Sequence, residues 1–372
     1  MKDYNTLAVD ARKKNGGMIF TGLKTKLETI DDLATYYTPG IAQPCREIAE
    51  HPERSKQLTI RKNTVAVISD GSAVLGLGNI GPEAALPVME GKSMLFKQFG
   101  GVDAFPIVLA TQDTEEIIET VKRIAPTFGG INLEDISAPR CFEIEERLKE
   151  ALDIPVFHDD QHGTAIVVLA ALINALKVVE KKLETVRIVM SGSGAAGVAI
   201  AKLLKTAGAK NIELADSKGM VCCTRDNLNS QKQELCSLNC GSLADGIKNA
   251  DVFIGVSKAG IVTKDMVRSM NENAIIFALA NPTPEIMPDI AKSAGAAVVA
   301  SGRSDFPNQI NNVLVFPGLF RGLLDKGVTN VTDAIKLNAA TALANLVENP
   351  TADKVIPLPF DENVAPAIAN SV

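Results

Sequence analysis

The chain reads as a two-domain α/β protein, and three observations predict it. Short apolar runs alternate with helix-length segments along most of its length. Carboxylate doublets close two of those runs, in NLED at Asn132–Asp135 and FHDDQHGTA at Phe157–Ala165. A glycine loop, SGSGAAG, lies between a strand pattern and a helix pattern past the midpoint.

The elements follow in order. Thr64–Ser69 is a strand and Pro82–Phe99 a helix. Ala104–Ala110 is a second strand, followed by an acid-led helix at Thr114–Ala125. Cys141–Leu152 is helical, and Pro155–Phe157 is a short buried strand. This alternation implies an open layer of parallel strands. Gly163–Val179 is a long helix joining the two halves. Its apolar stretch Gly163–Leu176 is too short to span a bilayer and reads as buried core. Val186–Ser191, the glycine loop, helix Ala195–Ala207 and strand Asn211–Ala215 open the second series. Strands at Val252–Val256, Ile275–Ala280 and Ala297–Ala300 complete a doubly wound, Rossmann-type dinucleotide-binding domain. Helices Phe316–Lys326 and Thr332–Val347 come next. Pro350–Val372, with four prolines, is expected to be an extended surface tail. The expected division is 1–161 for the first domain and 162–372 for the second.

Composition excludes several functions. At 372 residues and 46% hydrophobic, the chain can bury two sizeable cores. A net charge of −6 without a basic block argues against nucleic acid or anionic membrane as partner. Trp is absent, so base-stacking platforms are not expected. The N-terminal residues lack an apolar signal segment. Six cysteines form no CxxC pair and read as reduced thiols of a cytoplasmic protein.

The doublets carry the chemistry. Adjacent carboxylates repel in a folded site unless a cation sits between them. Glu134, Asp135 and Asp160 are placed to give three hard oxygen ligands to Mg²⁺ or Mn²⁺. In the loop, Gly192, Gly194 and Gly197 keep GxGxxG spacing, with Ser193, Ala195 and Ala196 between them. That spacing, between strand and helix, cradles a pyrophosphate at the helix N-terminus. Asp216, nineteen residues beyond Gly197, is placed to accept from the adenosine ribose hydroxyls. It favours NAD⁺, while Lys218 close by keeps NADP⁺ as a second coenzyme. Lys92 lies in an otherwise apolar helix, where burial beside a metal cation would lower its pKa towards that of a general base. Tyr37, in YYTPG, is held by the turn at Pro39 and Gly40.

The blocks YTPGIA, SDGSAVLGLGNIGP, MEGKSMLFKQFGGVDAFP, NLEDI, FHDDQHGTA, GSGAAG, ALANPTPE and NNVLVFPG together resemble the malic enzymes of compact bacterial type. The resemblance implies an N-terminal α/β malic-enzyme domain before the dinucleotide domain. It also implies oxidative decarboxylation of (S)-malate to pyruvate and CO₂ with NAD(P)⁺ and Mg²⁺ or Mn²⁺. By the same resemblance Tyr37 matches the general acid and Lys92 the general base, with Asp159 orienting the lysine. Glu134, Asp135 and Asp160 match the metal ligands. Asn281 and Asn312 match amides that meet the substrate carboxylate or the nicotinamide, and a homodimer is implied. Two rivals stay open: a non-decarboxylating hydroxy-acid dehydrogenase, and a catalytically inactive dinucleotide-sensing protein.

Overall fold

The computed structural model describes residues 3–74, 76–226 and 228–372. Helices α1 (Tyr4–Asn15), α2 (Ile30–Tyr36), α3 (Ala42–Glu50) and the single turn α4 (Ser55–Leu58) precede the first strand and bury no residue. Then β1 (Thr64–Ser69), α5 (Pro82–Gly100), β2 (Asp103–Val108), α6 (Thr114–Ile124), β3 (Gly130–Leu133), α7 (Arg140–Ala151) and β4 (Val156–His158) alternate. The strands form a parallel sheet of order β2-β1-β3-β4.

Because side chains alternate along a strand, this sheet feeds two cores. Ala66, Ile68, Ile131, Leu133 and Val156 pack with Ile117, Val121, Ile144 and Leu148 of α6 and α7. Val65, Val67 and Phe157 face the opposite way, towards Met89 and Phe96 of α5.

Helix α8 (Asp159–Val178) leads into the second unit. There follow β5 (Arg187–Ser191), α9 (Ala195–Thr206), β6 (Asn211–Asp216), β7 (Gly219–Met220), α10 (Ser230–Leu235) and α11 (Leu243–Ile247). Next come β8 (Val252–Gly255), α12 (Lys264–Arg268), β9 (Ile275–Ala278), α13 (Pro288–Ser293) and β10 (Val298–Ser301). The sheet order is β10-β9-β8-β5-β6-β7, parallel except for the hairpin strand β7. Strand order reverses between β5 and β8, and the crevice at such a switch point is where doubly wound sheets bind ligands.

Helices α14 (Phe316–Lys326), α15 (Asp333–Asn345) and α16 (Val364–Ser371) close the chain. Helix α14 returns to the first sheet: Phe316 stacks on Phe96 at 4.6 Å, and Phe320 meets Phe157 at 6.0 Å between centroids. One apolar core therefore runs from the first sheet through α8 and α9 to the second.

Three expectations are corrected. The expected surface tail instead ends in α16, whose Ile368 is fully buried against α14 and α15. Proline did not prevent this helix, because Pro366 sits in its first turn, where backbone N–H groups have no intrahelical partner. Helix α8 starts at Asp159, not Gly163, so both acids of the HDD motif belong to its first turn. Four of the cysteines are paired, Cys222 with Cys240 and Cys223 with Cys236. Backbone bonds between Cys223 and Ser237, and between Ser237 and Val221, lay the two segments side by side. Cys45 and Cys141 are free.

Candidate active site

Backbone geometry places each acid. Glu134 N–H bonds back to Ile68 O of β1 at 2.9 Å. Asp135 then enters the left-handed region at φ 53°, which Asp tolerates better than most side chains. Its N–H donates to Asp160 Oδ2 at 2.7 Å, tying the end of β3 to the start of α8. Asp159 and Asp160 occupy the first turn of that helix, where the dipole favours negative charge.

Lys92 reaches this cluster from α5 and is 8% exposed. Its ammonium donates to Asp159 Oδ2 at 2.7 Å and lies 2.8 Å from Glu134 Oε1. The Phe316 ring covers it at 4.3 Å. Four carboxylates against one ammonium leave surplus negative charge in a buried place. Burial first, and then the charges of Asp160 and Glu134, push Asp135 far above the usual carboxylate range. Burial also raises Asp159, to about 7, against the pull of Lys92.

The lysine departs from expectation. Burial pulls its pKa down, but the charges of Asp159, Glu134 and Asp160 outweigh burial and hold it above the ordinary value. A lower value presupposes that a cation has first neutralised Glu134 and Asp160, leaving Asp159 alone to face the ammonium.

The cluster fits such a cation. Glu134, Asp135 and Asp160 each offer an oxygen, all within 4.8 Å of one another. Asp135 Oδ2 is buried with no hydrogen-bond partner among the described residues. An all-oxygen set with an orphaned carboxylate oxygen suits a hard divalent ion, Mg²⁺ or Mn²⁺.

The glycine loop is built for close approach. A Cβ on Gly197 would lie 1.9 Å from Gly192 O, whereas one on Gly194 would meet nothing within 4 Å. The first contact requires glycine for packing, and the second leaves the start of α9 open to a ligand. Gly192 N–H bonds to Ala215 O, which brings the end of β6 beside the loop. Ala195 packs against the core of the first sheet, so the loop adjoins that unit directly. Asn281 and Asn312 also come to this seam. A Cβ on Gly76 would touch Asn281 O at 2.5 Å, and one on Gly163 would approach Asn312 Cβ to 3.3 Å.

Two family models cover this chain: the malic enzyme N-terminal domain over residues 12–149, and the malic enzyme NAD binding domain over 161–371. The chain belongs to the malic enzyme family. It is 55% identical to the bifunctional malic/malolactic enzyme of Bacillus subtilis, across 98% of this chain and 91% of that one. The NAD-dependent malic enzyme of Geobacillus stearothermophilus is 56% identical, across 96% of this chain and 76% of the relative. Among solved structures, the NAD-dependent malic enzyme of Thermotoga maritima superposes with a TM-score of 0.94 at 47% identity, covering 98% of both chains. The activity that follows is NAD(P)-dependent oxidative decarboxylation of malate.

Within this malic enzyme fold, one expected site residue stands apart. Tyr37 ends α2 with 65% of its surface exposed, and its hydroxyl bonds to no described residue. Sequence reasoning also missed residues that the site uses. Phe316 comes from far along the chain and gives no local signal. Glu145 is buried in α7, accepts from His158 N–H and Gln161 Nε2, and sits 2.9 Å from His162 Nε2. That one carboxylate holds the entry to α8. Its signal was present: it shares the buried stripe with Cys141, Ile144 and Leu148.

Proposed function

We propose that the chain converts (S)-malate to pyruvate and CO₂ as a metal-dependent homodimer, with Lys92 as general base and Tyr37 as general acid. The observation that carries the assignment is the placement of Lys92 between Asp159 and Glu134, at the edge of the acidic trio. Bound to Glu134, Asp135 and Asp160, Mg²⁺ or Mn²⁺ would acidify the malate hydroxyl and polarise the carbonyl that replaces it. The loop Gly192–Gly197 would hold NAD(P)⁺, which would supply the hydride acceptor.

The chain's own groups do the rest. Once Glu134 and Asp160 are neutralised, the charges that hold the Lys92 proton weaken, and burial favours the free amine. Lys92 then removes the hydroxyl proton while Asp159 fixes its direction. Asn281 and Asn312 orient the carboxylate and the nicotinamide across the seam. Closing the site under Phe316 keeps water from the amine. After loss of CO₂, Tyr37 protonates carbon 3 of enolpyruvate.

An exposed tyrosine must be brought to that carbon. Its neighbourhood presents Phe20 (92% exposed), Leu23, Ile30 and Tyr36 to solvent. Such an apolar surface around α1–α3 supports a dimer in which Tyr37 serves the partner's site.

Paired variants test the division of labour. Lys92→Ala should lose malate oxidation ~10²–10⁴-fold, the usual cost of one general base. Tyr37→Phe should still reduce oxaloacetate to malate but fail to convert enolpyruvate to pyruvate. The opposite pattern, oxaloacetate reduction lost in Tyr37→Phe and kept in Lys92→Ala, would mean the roles are exchanged.

A further inference from the structure

The two cysteine pairs fasten a helix that has little else to hold it. Helix α10 has six residues, too few to be stable alone, and of these Leu235 is buried. Lys232 donates to Asp216 Oδ2 at 2.8 Å, and Gln231 and Glu234 bond Lys202 of α9 at 2.6 and 2.7 Å. Exposed ionic contacts of this kind each contribute little. The cysteines bracket the helix on both sides. Cys222 and Cys223 follow β7, Cys236 and Cys240 follow α10, and the paired Cα atoms lie 4.9 and 5.0 Å apart. Cys222 is buried and Cys223 exposed, so these neighbours face opposite ways and take separate partners. Sulfurs divided in that way form two bridges rather than one tetrahedral thiolate site.

The helix matters because of what it touches. Lys202 belongs to the helix that begins at the glycine loop, and Asp216 ends β6, whose Ala215 O receives Gly192 N–H from that loop. Arg225 adds two bonds to Asp216, at 3.0 and 2.9 Å, from within the span the cysteines enclose. Whatever holds α10 therefore holds the walls of the coenzyme crevice.

Each bridge also shows a sulfur to solvent. Cys223 and Cys240 are exposed, while Cys222 is buried and Cys236 half-buried. Access to one sulfur is what thiol–disulfide exchange requires. Thr224 Oγ1 lies 3.1 Å from Cys222 Sγ and 3.7 Å from Cys240 Sγ. Its hydroxyl can donate to whichever of the two leaves as thiolate.

We propose that Cys222–Cys240 and Cys223–Cys236 form a reversible thiol–disulfide site through which a dithiol reductant adjusts the coenzyme affinity of this chain. The proposal rests on the NAD(P) reading of the second unit and not on the chemistry at Lys92. One thiolate of the dithiol attacks Cys240 Sγ, the S–S bond breaks, and Cys222 leaves as thiolate and takes a proton. The second thiol of the reductant then attacks the mixed disulfide, frees Cys240, and leaves the reductant as its own disulfide. Two electrons pass per bridge, and the reverse exchange closes it. Cys223 and Cys236 react in the same way, with Cys223 attacked. Closed, the bridges restrict the unfolded alternatives of α10. Open, the helix loosens locally and the crevice wall with it.

The test equilibrates the whole protein in mixtures of reduced and oxidised dithiothreitol, alkylates a denatured sample, and titrates NAD⁺ calorimetrically. The two free cysteines should be alkylated at the oxidised end and all six at the reduced end. Over the same range NAD⁺ should bind about tenfold more weakly, or about 1.4 kcal/mol. Turnover at saturating coenzyme should change little. Cys223→Ser with Cys240→Ser, both at exposed positions, should bind NAD⁺ like the reduced protein and ignore the reductant. Cys45→Ser should respond as the unmodified protein does. An alkylation count that never changes would overturn the proposal, as would zinc bound in the ratio of one per chain to these cysteines. Equal NAD⁺ affinity at both ends overturns it and leaves the coenzyme reading standing. If NAD⁺ binds at neither end, that reading falls, and the proposal with it.

Discussion

Replacing Gly163 with alanine should disable the site from one turn away. A Cβ there would lie 1.8 Å from Asp159 Oδ1 and 2.9 Å from its Cγ, while ordinary contact begins at 3.4 Å. The carboxylate must therefore retreat by about 1.6 Å (3.4 − 1.8). It has nowhere to go, being fully buried, and its other oxygen is hydrogen-bonded to Lys92 at 2.7 Å. Breaking a buried ion pair costs about 3–5 kcal/mol, and alanine returns about 1 kcal/mol of helix propensity. A net loss of about 2–4 kcal/mol should appear as a lower Tm. Turnover should fall ~10²-fold or more, because the base loses its orientation. Malate-dependent NAD(P)H formation and thermal melts measure the two effects. Gly91→Ala is the internal comparison: it sits beside Lys92 in α5, and its Cβ would meet nothing within 4 Å. It should be more stable by up to about 1 kcal/mol and keep its turnover. A Gly163→Ala protein with normal kcat and Tm would refute the claim that Asp159 aims the lysine.

Two further outcomes follow from the same structure. Asp135→Asn should raise the Tm of the metal-free protein, since it removes a carboxylate that burial and its neighbours disfavour as an anion. The same variant should lose the Tm increase produced by Mn²⁺, which a melt with and without the ion checks. Ile368→Ala should cost about 2–5 kcal/mol by opening a cavity between α16 and α14, read from denaturant unfolding.

Much of this was legible because local signals agreed with the fold. The run Thr64–Ser69 is a strand with the expected bounds, buried throughout. Helix α14 also runs as expected, from Pro317 near its start to the left-handed Gly327 at its end. The acids and Lys92 were found because their types are unusual where they stand. What stayed hidden was the pairing of distant segments. Nothing local says that Phe316 roofs Lys92, or that Arg225 and Lys232 fold back nine and sixteen residues onto Asp216. The four paired cysteines escaped because their spacing matches no local motif. Four prolines concealed α16 because only position within a helix, not count, decides what a proline does.

Helices α8 and α9 start with opposite chemistry and lie against each other along their length. One opens on Asp159 and Asp160, the other on the bare glycine turn before Ala195. In the proposed reaction their apolar contact would act as a fixed gauge between the carbon that loses hydride and the ring that receives it. Reactive atoms need to come within about 3–3.5 Å, so widening the gauge slows the transfer while each ligand still binds its own helix start. A leucine in place of Ala170, fully buried in the core that these helices share, is expected to lengthen that distance rather than weaken an affinity.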